Sequence, residues 1–440
     1  MKKFTKIIIC LLLCVVSLAF VACGNGDKNK KNYVFPTSGA VSGNDGLAVK
    51  YGDYVYFVNG MKTVESMASK KDSYKVGSLM IMKLDSNGQI IRDEEELIKD
   101  ETYTTISDRL CGFEATGLFI SGGYLYFTTP CLEDEGKNAQ NQQWAKDRVE
   151  FYRIKLDCST EMERVYQSSV SYENLKFNYY EVEGQTFILV YEQGESKDGK
   201  GSNVLVHVNA SAKTNSVIAT NVTSVTLDAE YSKICYVKNS NGKYELCGYN
   251  LLSNTTEADK YSSTTQFSVM KSTANKVFIE DGTDLYVSEY SVCDFDTIQT
   301  ITGVDKYGDS MYVSEDGEYL IGINGTKIEV TSTDGNMDEV KINIEGAESL
   351  TFIGLENGCV VFADNNNNIM SVSYYDAMEN NNKTVSHIAK VENLNTTYFD
   401  IDGTYVYFYK TVDEVDYLHR VDLTNEYVEE QVVEELFGVK

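Results

Sequence analysis

The sequence predicts an all-β fold, a β-propeller of four-stranded blades, from a repeated strand, its spacing and the composition. A turn followed by an aromatic strand occurs at residues 51–57 (Tyr-Gly-Asp-Tyr-Val-Tyr-Phe), 122–127 and 402–408, with looser copies between them. These strands begin near positions 54, 124, 186, 233, 276, 318, 359 and 405, and the last five spacings are 41 to 47 residues. That spacing is typical of a propeller blade. The 32 Tyr and 18 Phe residues favour pleated strands. Eight blades are favoured, and seven is the alternative.

The first 45 residues are predicted to be a targeting signal and a tether. Residues 1–6 are basic and residues 7–21 are apolar, which is typical of a signal peptide and too short for an ordinary spanning helix. Residues 20–23, Phe-Val-Ala-Cys, resemble the cleavage site of a bacterial lipoprotein. That resemblance implies a signal peptide over residues 1–22 and diacylglycerol on the Cys23 thiol. The alternative is plain secretion with an incidental cysteine.

Residues 23–45 then comprise the lipidated cysteine and a flexible tether, because residues 24–32 are rich in Gly, Asn, Lys and Asp and lack apolar side chains. One acyl chain holds a protein to a membrane only marginally, whereas two or three hold it firmly. We therefore expect an extracytoplasmic protein, attached through Cys23 to the outer face of the cell membrane.

Residues 46–440 are predicted to form the propeller. Each unit has a short strand A, a turn with Gly or Asp, an aromatic strand B, a strand C, a polar turn and a strand D. Strand C is expected at residues 79–84, 151–156, 204–208, 244–249, 285–287, 328–330, 369–372 and 418–423. One such sheet cannot bury both faces alone, whereas several sheets packed around an axis can. Strand D of the first unit is expected near Ile90 and Ile91.

The closure of the ring has two candidate strands. Residues 33–35, Tyr-Val-Phe, could add a strand to the last blade. The tail over residues 427–437 could instead supply strand D, although its apolar residues also fit a helical spacing. If the tail is a helix, the N-terminal strand is the better candidate.

The three long insertions into the template all fall between strands B and C, at residues 59–78, 130–150 and 193–203. The B–C connections of a propeller open on one face, so the insertions are expected to gather there, beside residues 411–416 of the last unit. The second insertion contains the only tryptophan, Trp144, with Gln143, Lys146 and Arg148 around it. These four residues are the predicted ligand-binding site, because an aromatic face beside amides and charges suits a sugar or a peptide. The alternative is that Trp144 anchors its own loop.

The charge and the rare residue types exclude several functions. A net charge of −27 repels nucleic acid and anionic lipid, but is compatible with basic peptides, neutral sugars and divalent cations. Only His207, His387 and His419 are present, with no His-Glu-x-x-His and no Gly-x-Ser-x-Gly motif. We predict no catalytic residue, no cofactor and no metal ion. Residues 364–368 and 400–403 could offer oxygens to calcium, but turn residues are the simpler interpretation.

Seven cysteines lie beyond Cys23, so not all of them can pair. Cys235 and Cys247 flank a turn, and a disulfide across that hairpin is conceivable. The alternative is that most of the cysteines are buried thiols among apolar strand residues.

The Tyr-Val-Tyr-Phe strand and residues 418–423, Leu-His-Arg-Val-Asp-Leu, resemble the YWTD-type propellers of LDL-receptor-like proteins. Over residues 46–440 the chain looks closest to bacterial lipoproteins of Gram-positive anaerobes that form a domain-of-unknown-function family. The resemblance implies the fold and a location outside the cell, and it carries no catalytic residue. The leading hypothesis is a tethered module that binds a glycan, a peptide or a partner protein. The alternatives are a glycan lyase or hydrolase with carboxylates around the central channel, and an assembly scaffold for envelope proteins.

Overall fold

The computed structural model describes residues 46–61, 77–89, 103–107, 109–133, 143–195, 199, 201–227, 233–273, 276–282, 284–289, 299–300, 311–413, 415–424 and 433–438. Its strands form eight antiparallel sheets of four strands, each built from consecutive segments of the chain. The sheets are the blades of a β-propeller. The predicted fold class is therefore confirmed, with eight blades and not seven.

The strands of blades 1 to 4 are, in chain order, β1 Ala48–Tyr51, β2 Tyr54–Asn59, β3 Ser78–Lys83, β4 Tyr103–Ser107; β5 Leu118–Ser121, β6 Tyr124–Glu133, β7 Gln143–Lys155, β8 Glu163–Gln167; β9 Leu175–Val182, β10 Gln185–Glu195, β11 Ser202–Asn209, β12 Thr214–Ala219; and β13 Val222–Val225, β14 Lys233–Ser240, β15 Lys243–Asn250, β16 Thr255–Ser263.

The strands of blades 5 to 8 are β17 Ser268–Ser272, β18 Lys276–Asp281, β19 Asp284–Glu289, β20 Gln299–Thr300; β21 Met311–Val313, β22 Tyr319–Asn324, β23 Lys327–Ser332, β24 Val340–Asn343; β25 Leu350–Glu356, β26 Cys359–Asp364, β27 Asn368–Ser373, β28 Val385–Lys390; and β29 Leu394–Asp402, β30 Tyr405–Val412, β31 Val415–Asp422, β32 Glu434–Gly438. A 3-10 turn, Tyr172–Asn174, precedes β9, and one short helix, α1 Tyr374–Asn380, joins β27 to β28.

The four strands of each blade take the positions A, B, C and D in chain order. Strands A of neighbouring blades contact one another, β1 with both β5 and β29, so they line the axis. Because successive strands are antiparallel, the B–C hairpins all open on one side of the ring, here called the B–C face. The A–B and C–D turns open on the other side, here called the A–B face.

The aromatic B strands are buried because a neighbouring blade covers each face of the sheet. In β2 every side chain is buried, although a strand with one wet face would alternate. Phe57 of blade 1, Leu118 of blade 2 and Tyr407 of blade 8 belong to one apolar cluster. The core therefore lies between the blades, and each apolar strand contributes to two interfaces.

The repeated turn before strand B has a conformational reason. Gly52, Gly122 and Gly403 hold equivalent places in A–B turns, with φ angles of 59°, 59° and 62°. Glycine adopts this left-handed backbone region without the steric penalty of a Cβ atom. The repeated motif is therefore a structural element of the blade.

Blade 1 departs from the prediction at its fourth strand. That strand is β4, paired with β3, and not the pair Ile90 and Ile91, which lie outside the described residues. The prediction chose Ile90 and Ile91 because they are apolar and follow strand C closely, and the template assumed a short C–D turn. The long connection to β4 could not be recognised from local spacing.

Among the described residues, no strand is shared between the first and last blades of the ring. Strand D of blade 8 is β32, which pairs with β31, so the predicted tail strand is confirmed. Residues 33–35 lie outside the described residues. Asp400 Oδ2 accepts hydrogen bonds from the amides of Leu47 and Ala48, both at 3.1 Å. Tyr409 Oη donates to the carbonyl of Val58 at 2.7 Å. Side chains of blade 8 thus satisfy backbone groups of blade 1.

Arg420 adds a cation to the same seam. Its side chain is fully buried, and Nη2 donates to the carbonyl of Gly88 in blade 1 at 2.7 Å. The guanidinium also lies over the ring of Tyr405, 4.1 Å from its centroid. Among the described residues, hydrogen bonds and packing therefore join the two ends of the propeller.

The conceivable disulfide between Cys235 and Cys247 is absent. The two cysteines are not joined to each other, and Cys247 pairs in register with Tyr236 whereas Cys235 pairs with Gly248. Successive side chains of a strand point to opposite faces. The two thiols consequently lie on opposite sides of the sheet, in separate apolar clusters. Among the other described cysteines, Cys111 and Cys131 are also buried.

Helices contribute little to this fold. Over the described ranges, no helix combines the length and the apolar character needed to cross a bilayer.

Candidate functional site

Two neighbouring blades carry extended hairpins on the B–C face. Strands β6 and β7 of blade 2 have 10 and 13 residues, and β10 of blade 3 has 11, whereas β2, β3, β22 and β23 have six each. Parts of the predicted insertions at 130–150 and 193–203 are therefore continuations of strands, where loops were expected: residues 130–133 and 143–150 in one, and 193–195 and 202–203 in the other. The remaining predicted insertion, residues 59–78 of blade 1, lies largely outside the described residues.

The blade 2 hairpin contains a wide bulge. Pro130 pairs with Val149, but the next pair toward the tip is Leu132 with Trp144. Four residues, 145–148, therefore stand opposite the single residue Cys131. A bulge of this kind removes residues from the ladder and redirects their side chains. Two of the predicted site residues, Lys146 and Arg148, lie in this segment.

The structure places the four predicted site residues on β7, within six consecutive positions. Trp144 is only 5% exposed and packs in the cluster between blades 2 and 3, together with Phe113 and Val149. Its indole nitrogen is buried, and the described residues offer it no hydrogen-bond partner. Arg148 is 39% exposed at its side chain, and its Nε lies 3.6 Å from Asp147 Oδ1. The side chains of Gln143 and Lys146 lie outside the described residues.

A buried carboxylate fixes the base of the blade 2 hairpin. Glu150 is fully buried; Oε2 accepts from Arg109 Nη1 at 3.2 Å and from Tyr152 Oη at 3.1 Å, and Oε1 accepts from Arg164 Nη1 at 2.6 Å. The Arg109 guanidinium also lies 4.5 Å from the centroid of the Tyr152 ring. A buried charge is tolerated when it is paired and hydrogen-bonded in this way.

Sequence reasoning did not single out Glu150. It could have been recognised as an acidic residue between two apolar residues, Val149 and Phe151, in a strand that is expected to be buried between blades. The nearby Cys131 thiol is an unsuitable nucleophile, because burial and then the charge of Glu150 raise its pKa to about 11.

The blade 3 hairpin has an equivalent support. Glu192, near the B–C end of β10, is fully buried. Its Oε1 accepts from Tyr166 Oη at 2.8 Å and from the amide of Ser169 at 2.9 Å, and its Oε2 accepts from the Ser169 hydroxyl. Because Tyr166 and Ser169 belong to the end of blade 2, this carboxylate also ties the two blades together.

The histidines on the C strands are packing groups. His207 lies on β11 and is buried between the rings of Phe187 and Tyr249, with centroids 4.9 and 5.8 Å away. Burial lowers the pKa of His207. His419 lies on β31 and stacks on Phe408, with centroids 5.9 Å apart. Both imidazoles are thus engaged in core contacts.

The acidic runs considered as calcium ligands have structural partners. Asp364 Oδ1 accepts from the amides of Asn366 and Asn368 at 2.8 and 2.9 Å, which shapes the B–C turn of blade 7. Asp400 holds the seam, and Asp402 Oδ2 accepts from Tyr407 Oη at 3.0 Å. Within the part of the chain that the structure describes, no three His, Cys, Asp or Glu side chains are grouped as metal ligands.

Acidic side chains also approach one another on the A–B face. Burial raises the pKa of Glu356, at the end of β25, and the charges of Glu315 and Asp402 raise it further. These residues belong to the A–B turns of blades 6, 7 and 8. This acidic group therefore lies on the face opposite the extended hairpins.

No protein-family model matches the chain, and no curated protein sequence matches it. Among solved structures it is similar to the β-propeller domain of the Trilobed protease from Pyrococcus furiosus, which has an open velcro topology; identity is 13% and the TM-score 0.44, over 72% of this chain and 93% of that one. A eukaryotic initiation factor is 12% identical with a TM-score of 0.45, over 93% and 90%. TolB from Acinetobacter baumannii is 10% identical with a TM-score of 0.30, over 65% and 61%. These similarities concern the fold alone, and they support neither a YWTD-type family nor a lipoprotein.

Proposed function

We propose that the protein is a membrane-anchored, extracytoplasmic binding module that holds a glycan, a peptide or a partner protein on the B–C face of blades 2 and 3. The observation that carries this proposal is the pair of extended hairpins, each fixed at its base by a buried carboxylate, Glu150 or Glu192. Rigid scaffolds that present elongated connections are a common arrangement for binding.

The burial of Trp144 changes the roles within the proposed site. An indole that is 5% exposed offers little surface to a ligand, so Trp144 supports the hairpin from within the core. Arg148, which is 39% exposed and lies in the bulge, is the better contact residue. A guanidinium can donate several hydrogen bonds to the oxygens of a sugar, a carboxylate or a backbone carbonyl.

Trimming the blade 2 hairpin is expected to remove binding and to leave the propeller folded. Residues 133–143 would be replaced by Asn-Gly, so that Leu132 and Trp144 flank a two-residue turn of the preferred type. Glu150 and its partners remain. Binding would be measured on glycan and peptide arrays, with circular dichroism as the check of folding. A full-length chain that binds no more than the trimmed chain would refute the proposed site.

A single substitution sharpens this comparison. Arg148→Ala is expected to weaken binding about tenfold, the effect of removing one good interface contact of about 1.4 kcal/mol. Lys155→Ala is the matched control, because Lys155 ends the same strand on the A–B side. Equal losses in the two variants would point to general charge effects instead of a contact at the bulge.

The anchor is tested separately through Cys23. Cys23→Ser is expected to abolish incorporation of labelled palmitate and to release the protein into the medium, because the thiol that would carry diacylglycerol is gone. Globomycin treatment of the unchanged protein should cause precursor to accumulate. Secretion of the unchanged protein without label would favour the alternative, an incidental cysteine.

A further inference from the structure

The chain joins the ring on the B–C face. Val58, next to the B–C end of β2, donates its amide to the carbonyl of Leu47 at 2.9 Å. The carbonyl of Gly46 accepts from Thr116 Oγ1 at 3.3 Å, in the link between blades 1 and 2. That link in turn contacts the B–C end of β3, because the amide of Cys111 donates to the carbonyl of Gly77 at 2.7 Å.

The backbone conformation of Gly46 and its contact with Thr116 both require glycine at this position. Its φ angle is +96°, and a Cβ atom there would lie 2.8 Å from Thr116 Cγ2. Thr116 Oγ1 is itself held by the carbonyl of Cys111 at 2.6 Å. The last residue before the ring is therefore fixed against the B–C face, and the preceding chain must start from there.

The number of residues between Cys23 and Gly46 limits the orientations that the ring can take relative to the membrane. The roughly 23 residues from Cys23 to Asp45, if they form the flexible tether that their composition predicts, have a root-mean-square span of about 25–30 Å. Strands of six residues make the ring about 20 Å thick at about 3.3 Å per residue. If the A–B face were turned toward the membrane, the tether would have to run from Gly46 across the B–C face, around the outer edge of the ring and along its full thickness. That path is longer than the root-mean-square span of the tether, so this orientation would be populated rarely.

We propose that the B–C face is the membrane-proximal face of the anchored protein, so that the extended hairpins of blades 2 and 3 point toward the membrane that carries the anchor. This inference rests on the lipid anchor proposed above. The full sequence carries a net charge of −27, so attraction to anionic lipid does not contribute to the proposed orientation. The connection at Gly46 and the short tether produce the orientation, and they direct the binding site toward partners at the surface of the same cell.

Energy transfer to a headgroup-labelled lipid tests the orientation. The lipidated, full-length chain would be reconstituted in phosphatidylcholine vesicles with a fluorophore on one of two cysteines in blade 4. Lys243→Cys lies at the B–C turn, where the lysine side chain is 53% exposed, and Ser253→Cys lies at the exposed C–D turn on the opposite face. Both variants would carry Cys158→Ser, which removes an exposed native thiol. The parent with Cys158→Ser alone gives the background labelling.

Transfer from position 243 is expected to be at least twofold more efficient than transfer from position 253. Equal transfer, or stronger transfer from 253, in protein that carries the lipid would overturn the orientation and leave the anchor intact. No transfer from either position, together with no lipid on Cys23, would overturn the anchor and the orientation together. Inserting 30 Gly and Ser residues before Gly46 should reduce the difference. A difference that survives this insertion would contradict a role for the short tether.

Discussion

Asp400→Ala is expected to lower the free energy of unfolding by about 2–6 kcal/mol and to open the ring between blades 8 and 1. The carboxylate is buried and accepts two hydrogen bonds from backbone amides of blade 1, those of Leu47 and Ala48. Alanine leaves both amides unpaired, and an unsatisfied buried donor costs about 1–3 kcal/mol. The effect is concentrated at one place because these two hydrogen bonds join blade 8 directly to blade 1, where no strand of the described residues crosses the seam.

Urea denaturation would measure the stability, and hydrogen exchange would locate the opening. The amides of β1 and β29 should lose protection first, because they face each other across the seam. Amides in the middle of β22 and β26 should keep their order of protection. Uniform loss of protection over all blades would show that Asp400 contributes to general stability and not to closure.

Two further variants separate closure from charge. Asp400→Asn keeps a carbonyl oxygen and is expected to lose about half as much stability as Asp400→Ala. Asp364→Ala removes a carboxylate whose partners, Asn366 and Asn368, belong to the same turn. Its loss should be about 0.5–2 kcal/mol, as for other local caps, with the seam unaffected. If Asp364→Ala is as harmful as Asp400→Ala, the seam has no special weakness.

Glu150→Ala is expected to lower the free energy of unfolding by about 3–5 kcal/mol. The substitution removes the carboxylate partner of Arg109, whose side chain is only 13% exposed, and breaking a buried pair costs about that amount. Arg164 contributes little to the loss, because its side chain is 48% exposed and water can solvate the freed charge. Thermal and chemical denaturation would both report the change.

The matched control is another acid–arginine pair of blade 2. Glu163 Oε2 lies 2.7 Å from Arg153 Nη2, but the glutamate side chain is 42% exposed. Arg153 Nη1 also donates to the carbonyls of Ala210 and Ser211, so the guanidinium keeps partners when the acid is removed. Glu163→Ala should therefore cost less than about 1 kcal/mol. A similar cost for both variants would mean that burial does not determine the importance of Glu150.

Glu150 also connects stability to the proposed site. The residue directly follows Val149, where the regular ladder ends and the bulge with Arg148 begins. Glu150→Gln keeps the shape of the side chain and removes its charge. We expect this variant to bind the ligand of the blade 2 hairpin less tightly, even under conditions in which the propeller remains folded. A comparison with Arg148→Ala would show whether binding depends on the contact residue or on the base that supports it.

Strands B and C of each blade could be recognised from the sequence, because the evidence for them is local, whereas strand D of blade 1 could not. A glycine turn followed by Tyr-x-Tyr-Phe marks blades 1, 2 and 8 directly. The predicted C strands contain His207 and His419, and the structure places both residues there. For the tail, the sequence allowed either a strand or a helix, since Leu436 and its neighbours also fit a helical spacing. The tail forms strand β32, which pairs with β31.

The predicted site was only partly accessible to this reasoning. Residue types drew attention to Trp144 and Arg148, which share β7, but they did not reveal that the indole is buried and the arginine lies in a bulge. Glu150, Arg109 and Glu192 were missed altogether. Their partners come from other strands and from the link between blades, so spacing along the chain gives no sign of them.

The sequence by itself determined the class of fold and favoured eight repeats over seven, because periodicity and turn chemistry act over a few residues. Only the tertiary structure decided how the ring closes, which carboxylates are buried, and that Cys235 and Cys247 face away from each other. These properties depend on contacts between residues as far apart as Leu47 and Asp400. The packing of one blade on the next creates those contacts, and no local pattern encodes them.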